Sequence, residues 1–178
     1  NIELSGKTIG IIGVGNIGSK VAGIARAFGM NVLGNDIKPS LKNRYPFIKF
    51  ISLKKLLLLS DIVTIHTPLD NSTKYLLNNT NIKLMQKYSV LINCSRGGTV
   101  DEKALITALK RGRISYAGVD VFEKEPAFNK TFAKLSNVIL SPHLAGKTVE
   151  SKERMARVAA EKIINFYKKS GKRAKLIN

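Results

Sequence analysis

The stretch KTIGIIGVGNIGSKVAGIARAFG, residues 7 to 29, leaves a chain little freedom in how it begins to fold. Thr8 to Ile12 is an apolar, β-branched run of the kind that forms a strand buried on both faces. Glycines follow at 13, 15 and 18, and the residues from about Asn16 to Phe28 read as a helix. The segment NVLGND then gives a second strand that ends on a carboxylate, Asp36. Gly13 permits a tight turn out of the strand. Gly15 lets the backbone approach a phosphate, and Gly18 lets the helix sit close to the sheet. Asn16 and Ile17 lie where the helix begins, so its N–H groups and positive dipole end face the same point. Asp36 lies 23 positions after Gly13, where a carboxylate can accept from both hydroxyls of a ribose and repels a 2′-phosphate. The unit therefore reads as a dinucleotide site that favours NAD over NADP. Lys38, two residues further on, is a cation that could accommodate a phosphate.

The rest of the chain extends this unit. A polar, proline-containing turn covers Lys38 to Pro46, and a short helix Leu53 to Leu59. Asp61 to Thr67 reads as the third strand, stopped by Pro68. Asn79 and Thr80 can cap a helix that runs to about Met85. Strands are expected at Ser89–Asn93, Tyr116–Val121 and Val138–Leu140, and a helix at Asp101–Lys110 whose terminal charges suit its dipole. A long amphipathic helix is expected from Thr148 to about Lys169, with Thr148 and Ser151 as candidate caps. Short apolar strands alternating with helices predict an α/β fold, a Rossmann-type doubly wound parallel sheet. No repeat or linker divides it, so residues 1–178 are read as one NAD-binding domain.

Composition narrows the partners. The net charge of +18 raises nucleic acid as a candidate. The charge is carried by 22 lysines against 8 arginines, spread along the chain and densest in KKSGKRAK, Lys168 to Lys175. No zinc-finger spacing, aromatic RNA-binding pattern or DNA-reading helix pair accompanies it. No specific nucleic-acid partner and no metal is therefore expected, only salt-sensitive sticking to polyanions. The longest apolar run, Leu56 to Leu59, is far too short to span a membrane. One cysteine excludes an internal disulfide and favours a reducing, cytoplasmic setting. A start without Met, immediately before the first strand, suggests a fragment.

Ligands of such sheets bind at the carboxyl ends of the strands, and three strand ends carry reactive groups. Arg96 follows VLINC in CSRGG, where the two glycines leave space and permit an irregular turn. It can hold a carboxylate with two parallel hydrogen bonds, or else pair with a local acid such as Asp101. Glu125, in VFEKEP with Pro126 stiffening the loop, is either a solvated loop acid or a partner for a base. His143, in SPHLAG, is one of two histidines. Together the three form an acid–base set in which His143 exchanges a proton with a substrate oxygen and Glu125 orients it.

The pieces GVGNIG, HTPLDNSTKYLL, LINCSRGGTVDEKAL, AGVDVFEKEP and SPHLAGKTVES resemble, in order, the cofactor domain of the D-isomer-specific 2-hydroxyacid dehydrogenases. Within that family they are most similar to phosphoglycerate dehydrogenases, which serve serine biosynthesis, and to glyoxylate/hydroxypyruvate reductases. The resemblance implies NAD as cofactor and a 2-hydroxy or 2-keto acid as substrate. It gives Arg96 the substrate carboxylate and carbonyl, His143 the proton, and Glu125 the pairing with His143. It gives Asp120 the nicotinamide carboxamide, aided by the backbone near Cys94 and Ser95. His66, Thr67 and Pro68 flank the adenosine and ribose, with His66 packing there rather than reacting, and Ala145 and Gly146 follow His143 beside the cofactor. Family members have a second domain, which closes over the substrate, and full-length members form homodimers. A chain with the cofactor domain alone is expected to bind dinucleotide but to turn over little substrate. A second class remains open: family-like proteins that sense NAD and act through partners.

Overall fold

The computed structural model describes residues 3–126 and 129–170. Lys172, Arg173 and Lys175 of the basic run fall outside them. Packing divides the chain between Pro142 and His143 into two compact units. The first is a sheet of seven strands: β1 (Thr8–Ile12), β2 (Asn31–Asn35), β3 (Lys49–Phe50), β4 (Ile62–Ile65), β5 (Ser89–Asn93), β6 (Ile114–Val119) and β7 (Val138–Leu140). The order across the sheet is β3-β2-β1-β4-β5-β6-β7, and every pairing is parallel. Five helices connect the strands: α1 (Gly18–Ala27), α2 (Leu41–Arg44), α3 (Leu53–Leu59), α4 (Asn79–Ile82) and α5 (Glu102–Lys110). The chain runs outward from β1 to β3, returns to the other side of β1 at β4, and runs outward again. The switch point therefore lies between β1 and β4, where a parallel sheet opens a crevice for ligands.

Both faces of β1 are covered, as its apolar run requires. Ile9 and Ile11 pack with Ala22 and Ala25 of α1, while Ile12 joins the larger core with Leu56 and Leu57 of α3. Gly10 lies on that second face, close against Leu56 of α3 and Ser60 just past its end. The larger core continues through Val63, Ile65 and Leu91 to Leu105 and Leu109 of α5, with Phe132 fully buried at its edge.

Local sequence explains most element ends. The Ser52 hydroxyl accepts from the Lys55 N–H and caps α3, and the Asp101 carboxylate accepts from the Ala104 N–H and caps α5. α4 is capped by Asn78, which accepts from the Thr80 and Asn81 N–H groups, one residue before the expected Asn79. It ends at Ile82 rather than Met85. α1 starts at Gly18 rather than Asn16. β6 begins at Ile114 and ends at Val119, two residues ahead of the expected Tyr116–Val121, because its register is set by β5. The expected turn at Lys38–Pro46 contains α2, and β3 follows it, held by pairing with Leu33 and Gly34 of β2.

The second unit holds α6 (Val149–Ser170), the expected long helix. The Thr148 hydroxyl accepts from the Ser151 N–H and caps it, while the Ser151 hydroxyl donates to the Gly146 carbonyl. Val149, Met155, Ile163, Ile164 and Phe166 are exposed along α6. No helix among the described residues is long and apolar enough to cross a membrane.

Candidate functional site

The glycine turn is built by three different constraints. Gly13 sits at φ +88°, in the region that favours glycine, and a Cβ there would come within 2.9 Å of the His66 backbone. A Cβ on Gly18 would run into the Gly13 carbonyl oxygen, with an Ile11 methyl of β1 3.2 Å away, so α1 reaches the sheet only because Gly18 has no side chain. A Cβ on Gly15 would meet nothing within 4 Å. No protein atom fills that space, as approach by a phosphate demands. The residue at the N-cap of α1, Ile17, makes no side-chain cap hydrogen bond. The Ser19 and Lys20 N–H groups of its first turn already donate to the Gly15 and Ile17 carbonyls, so the donors offered to an anion are those of the turn that leads into α1.

Asp36 is anchored beside the glycine turn. Oδ2 accepts from the Val14 N–H at 2.8 Å and Oδ1 from the Lys38 N–H at 2.9 Å. The carboxylate both ties down the glycine turn and stands at its mouth. A cavity of about 310 Å³ opens beside it, lined by Asp36, Lys38, Pro39, Lys42, Phe50, Ile51 and Ser52. Sequence reading found Asp36 and Lys38 but not Lys42 or Ser52, which reach this cavity only because α2 and β3 fold against β2. The open space at Gly15 and the carboxylate at the mouth of the turn fit an NAD cofactor. We expect Asp36→Ala to weaken NADH binding by about 1–3 kcal/mol through the lost charged acceptor, and with an added arginine to narrow the preference over NADPH. Fluorescence titration with both cofactors checks this, and unchanged selectivity would contradict the assigned role.

The loop after β4 crosses the glycine turn. The His66 N–H donates to the Ile12 carbonyl at 2.7 Å, and its Nε2 lies 3.1 Å from the Thr64 hydroxyl. Burial holds the imidazole below its ordinary pKa, which favours a neutral, packed ring. The Thr67 hydroxyl is buried with no hydrogen-bond partner in the structure, and Pro68 beside it is exposed.

Past β5, one buried residue shapes the turn that carries Arg96. Asn93 is 2 % exposed. Its Oδ1 accepts from the Ser95 N–H and hydroxyl at 3.1 and 2.9 Å, and its Nδ2 donates to the Arg96 carbonyl at 3.1 Å and the Thr99 hydroxyl at 3.3 Å. The Thr99 hydroxyl closes the ring by donating to the Arg96 carbonyl at 2.6 Å. The Arg96 guanidinium donates to the Ser95 carbonyl at 2.7 Å, while the carboxylate of Asp101 is engaged in capping α5. Asn93 was legible only as a polar residue ending an apolar strand.

The glycine after Arg96 has another purpose than the expected one. A Cβ on Gly97 would overlap the Phe122 carbonyl group, so the space is taken by the protein's own backbone and not left for a ligand. Through that contact the Arg96 loop rests directly on the loop after β6. In that second loop the Glu125 Oε1 accepts from the Phe122 N–H at 3.0 Å, and the Glu125–Pro126 peptide is cis. Asp120, 2 % exposed at the end of β6, accepts from the Ser141 hydroxyl at 2.6 Å. The Cys94 thiol is pushed up by partial burial and then by the Asp120 charge. Within the first unit, then, Arg96, Cys94, Ser95, Asp120 and Glu125 gather past the ends of β5 and β6. Past β1, β2 and β4 lie Gly13 to Gly18, Asp36 and His66 to Pro68.

His143 opens the second unit, at φ +56°. Ala145 and Gly146 follow it, and a Cβ on Gly146 would meet nothing within 4 Å. Among the described residues no group of three His, Cys, Asp or Glu side chains is placed to hold a metal ion.

A doubly wound parallel sheet, with a glycine turn at its switch point and a carboxylate one strand away bonded to that turn, defines a Rossmann-type dinucleotide-binding protein. The sequence places it further. Residues 1–145 match the family model of the D-isomer specific 2-hydroxyacid dehydrogenase, NAD binding domain, and the chain belongs to that family. It is 43 % identical over 172 residues to a glyoxylate reductase of Aeropyrum pernix, covering 93 % of this chain and 50 % of that protein. It is 40 % identical over 164 residues to a D-3-phosphoglycerate dehydrogenase of Methanocaldococcus jannaschii, covering 91 % of this chain and 31 % of that one. The crystal structure of D-lactate dehydrogenase with NAD+ from Lactobacillus jensenii superposes with a TM-score of 0.86 at 34 % identity, over all of this chain and 57 % of its own. The chain spans about half the length of the glyoxylate reductases it matches.

Proposed function

We propose that the full-length protein reduces a short 2-keto acid to the D-2-hydroxy acid with NADH. The observation that carries this reading is the direct seating of the Arg96 loop on the loop of Glu125, past adjacent strand ends of an NAD-binding domain. NAD(H) supplies the hydride when bound. Arg96 fixes the substrate carboxylate and polarises the keto group with its planar, permanently charged donors. His143 gives a proton to the keto oxygen as that oxygen gains charge, and Glu125 supports the charged imidazole. Asp120 orients the carboxamide end of the cofactor together with the backbone at Cys94 and Ser95. The loop His66–Pro68 and the residues Ala145 and Gly146 complete the cofactor's surroundings.

Glyoxylate is the proposed substrate, in keeping with the names of relatives at 41–43 % identity, and hydroxypyruvate is proposed beside it from the resemblance of the sequence motifs. Oxidation of 3-phosphoglycerate, the entry to serine biosynthesis, is the competing assignment. The full-length protein is proposed to act as a homodimer. The test is NADH oxidation by the full-length protein with glyoxylate, hydroxypyruvate and 2-oxoglutarate, and NAD reduction with 3-phosphoglycerate. Turnover of the first two is expected. Tight NADH binding without turnover of any of them would favour the NAD-sensing alternative.

A further inference from the structure

Two acids that the proposed reaction does not touch join the loops of Arg96 and Glu125. Glu102 is the first residue of α5 and is only 8 % exposed. Its Oε1 accepts from the Glu123 N–H at 2.7 Å, and the Glu123 Oε1 accepts from the Glu102 N–H at 3.0 Å. Each carboxylate thus holds the other's backbone. The Tyr75 hydroxyl donates to the Glu123 Oε2 at 3.3 Å and steadies the exchange from a third segment. The opposite edge of the Arg96 loop is bonded to that same segment: the Tyr75 N–H donates to the Gly98 carbonyl at 2.8 Å and the Leu77 N–H to the Thr99 carbonyl at 3.1 Å.

A simpler account, that Glu102 is an ordinary first-turn acid, does not fit. Asp101 already caps α5, and a first-turn acid facing solvent would serve the helix dipole without being buried. Burial pushes the Glu102 carboxyl above its ordinary pKa; the Glu123 N–H pulls it back, and the charges of Glu123 and Asp101 push it up again. A buried acid among acids costs stability. What the exchange supplies in return is register. A hydrophobic contact between the loops would tolerate sliding, whereas two antiparallel carboxylate-to-amide bonds fix both directions. The two loops are then clamped twice, at Gly97 against Phe122 and at Glu102 against Glu123. Arg96 lies one residue before the first clamp and Glu125 two residues after the second.

We infer that Glu102 and Glu123 are positioning residues for catalysis, which set the Arg96 loop and the Glu125 loop at a fixed separation. The inference rests on the function proposed above for those two residues. In the full-length enzyme, Glu102→Ala and Glu123→Ala should lower kcat with a 2-keto acid by about ten- to hundredfold, the cost of misplacing reacting groups by an ångström or less. The dissociation constant for NADH should stay within about twofold, because the glycine turn and Asp36 lie at other strand ends. Glutamine keeps an acceptor oxygen, so Glu102→Gln and Glu123→Gln should recover kcat to within about threefold of the parent. Alanine variants with the parent kcat would overturn the inference, as would glutamine variants as impaired as the alanine ones or NADH affinity falling in step with kcat. Should an alanine variant fail to fold, the glutamine variant decides: a loss of more than about tenfold overturns the inference. An unaltered enzyme that turns over no 2-keto acid removes the proposed activity and this inference together. Turnover in the parent with unaffected alanine variants removes the inference alone.

Discussion

Replacing His143 by asparagine in the full-length enzyme should lower kcat about a thousandfold, as loss of a positioned general acid does, while NADH still binds with little change. That drop corresponds to about 4 kcal/mol of lost transition-state stabilisation. Asparagine is the informative substitution because His143 sits at φ +56°. Asparagine tolerates the left-handed region better than most residues, so the backbone should survive the change. Alanine would confound the loss of the proton donor with strain. Steady-state kinetics together with fluorescence titration of NADH separates the two effects. Undiminished turnover would remove His143 from the site, and lost NADH binding would make it a cofactor residue.

The second large effect concerns two glycines three residues apart that fail for opposite reasons. Gly18→Ala should be destructive, because its Cβ would overlap the Gly13 carbonyl and force α1 away from β1. We expect a loss of about 1–3 kcal/mol in stability, typical of overpacking, and NADH binding lost along with it. Gly15→Ala should leave the melting temperature unchanged, since the space around its Cβ is open. It should still weaken NADH at least tenfold, about 1.4 kcal/mol, because the new methyl stands where a phosphate must approach. Thermal melts and NADH titrations of the two variants check this. A Gly15→Ala protein that binds NADH like the parent would show that the phosphates lie elsewhere.

How much of this was readable beforehand follows from the range of the interactions involved. From β1 to Asp36 the residues form a motif of fixed spacing, so strand, turn, helix and acid could all be read, although the contact that demands Gly13 comes from the distant His66. The seven-stranded order could not be read so directly, because β3 is only Lys49 and Phe50 and exists through pairing with Leu33 and Gly34. The end of β6 was misplaced for a related reason. The valines of GVDVF suggest that the strand continues, but pairing with β5 stops at Val119, and Asp120 and Val121 are buried in the loop instead. At α4 three successive residues, Asn78, Asn79 and Thr80, can all cap a helix, and only the fold selects the first.

The site shows the same division. Arg96, Glu125 and His143 stood out as reactive types at strand ends in motifs of the family. The residues that hold the first two in place did not. Asn93 forms hydrogen bonds on both sides of its amide within one loop, yet nothing in its type distinguishes it from any polar residue ending a strand. Gly97 resembled room for a ligand because the residue it yields to, Phe122, is 25 positions away. Glu102 showed only as an acid at the start of a helix, and Glu123 drew no reading, because their exchange joins positions 21 apart.

If the proposed function holds, a dinucleotide lies along the carboxyl ends of these strands, from Asp36 across the glycine turn toward Asp120. A crystal structure of the full-length protein with NAD tests it most directly. The pyrophosphate should lie on the backbone N–H groups of Gly15 to Ile17, the adenine-side ribose hydroxyls on Asp36, and the nicotinamide carboxamide within hydrogen-bond reach of Asp120. Density for NAD away from the glycine turn, or a ribose that leaves Asp36 bonded only to Val14 and Lys38, would contradict it.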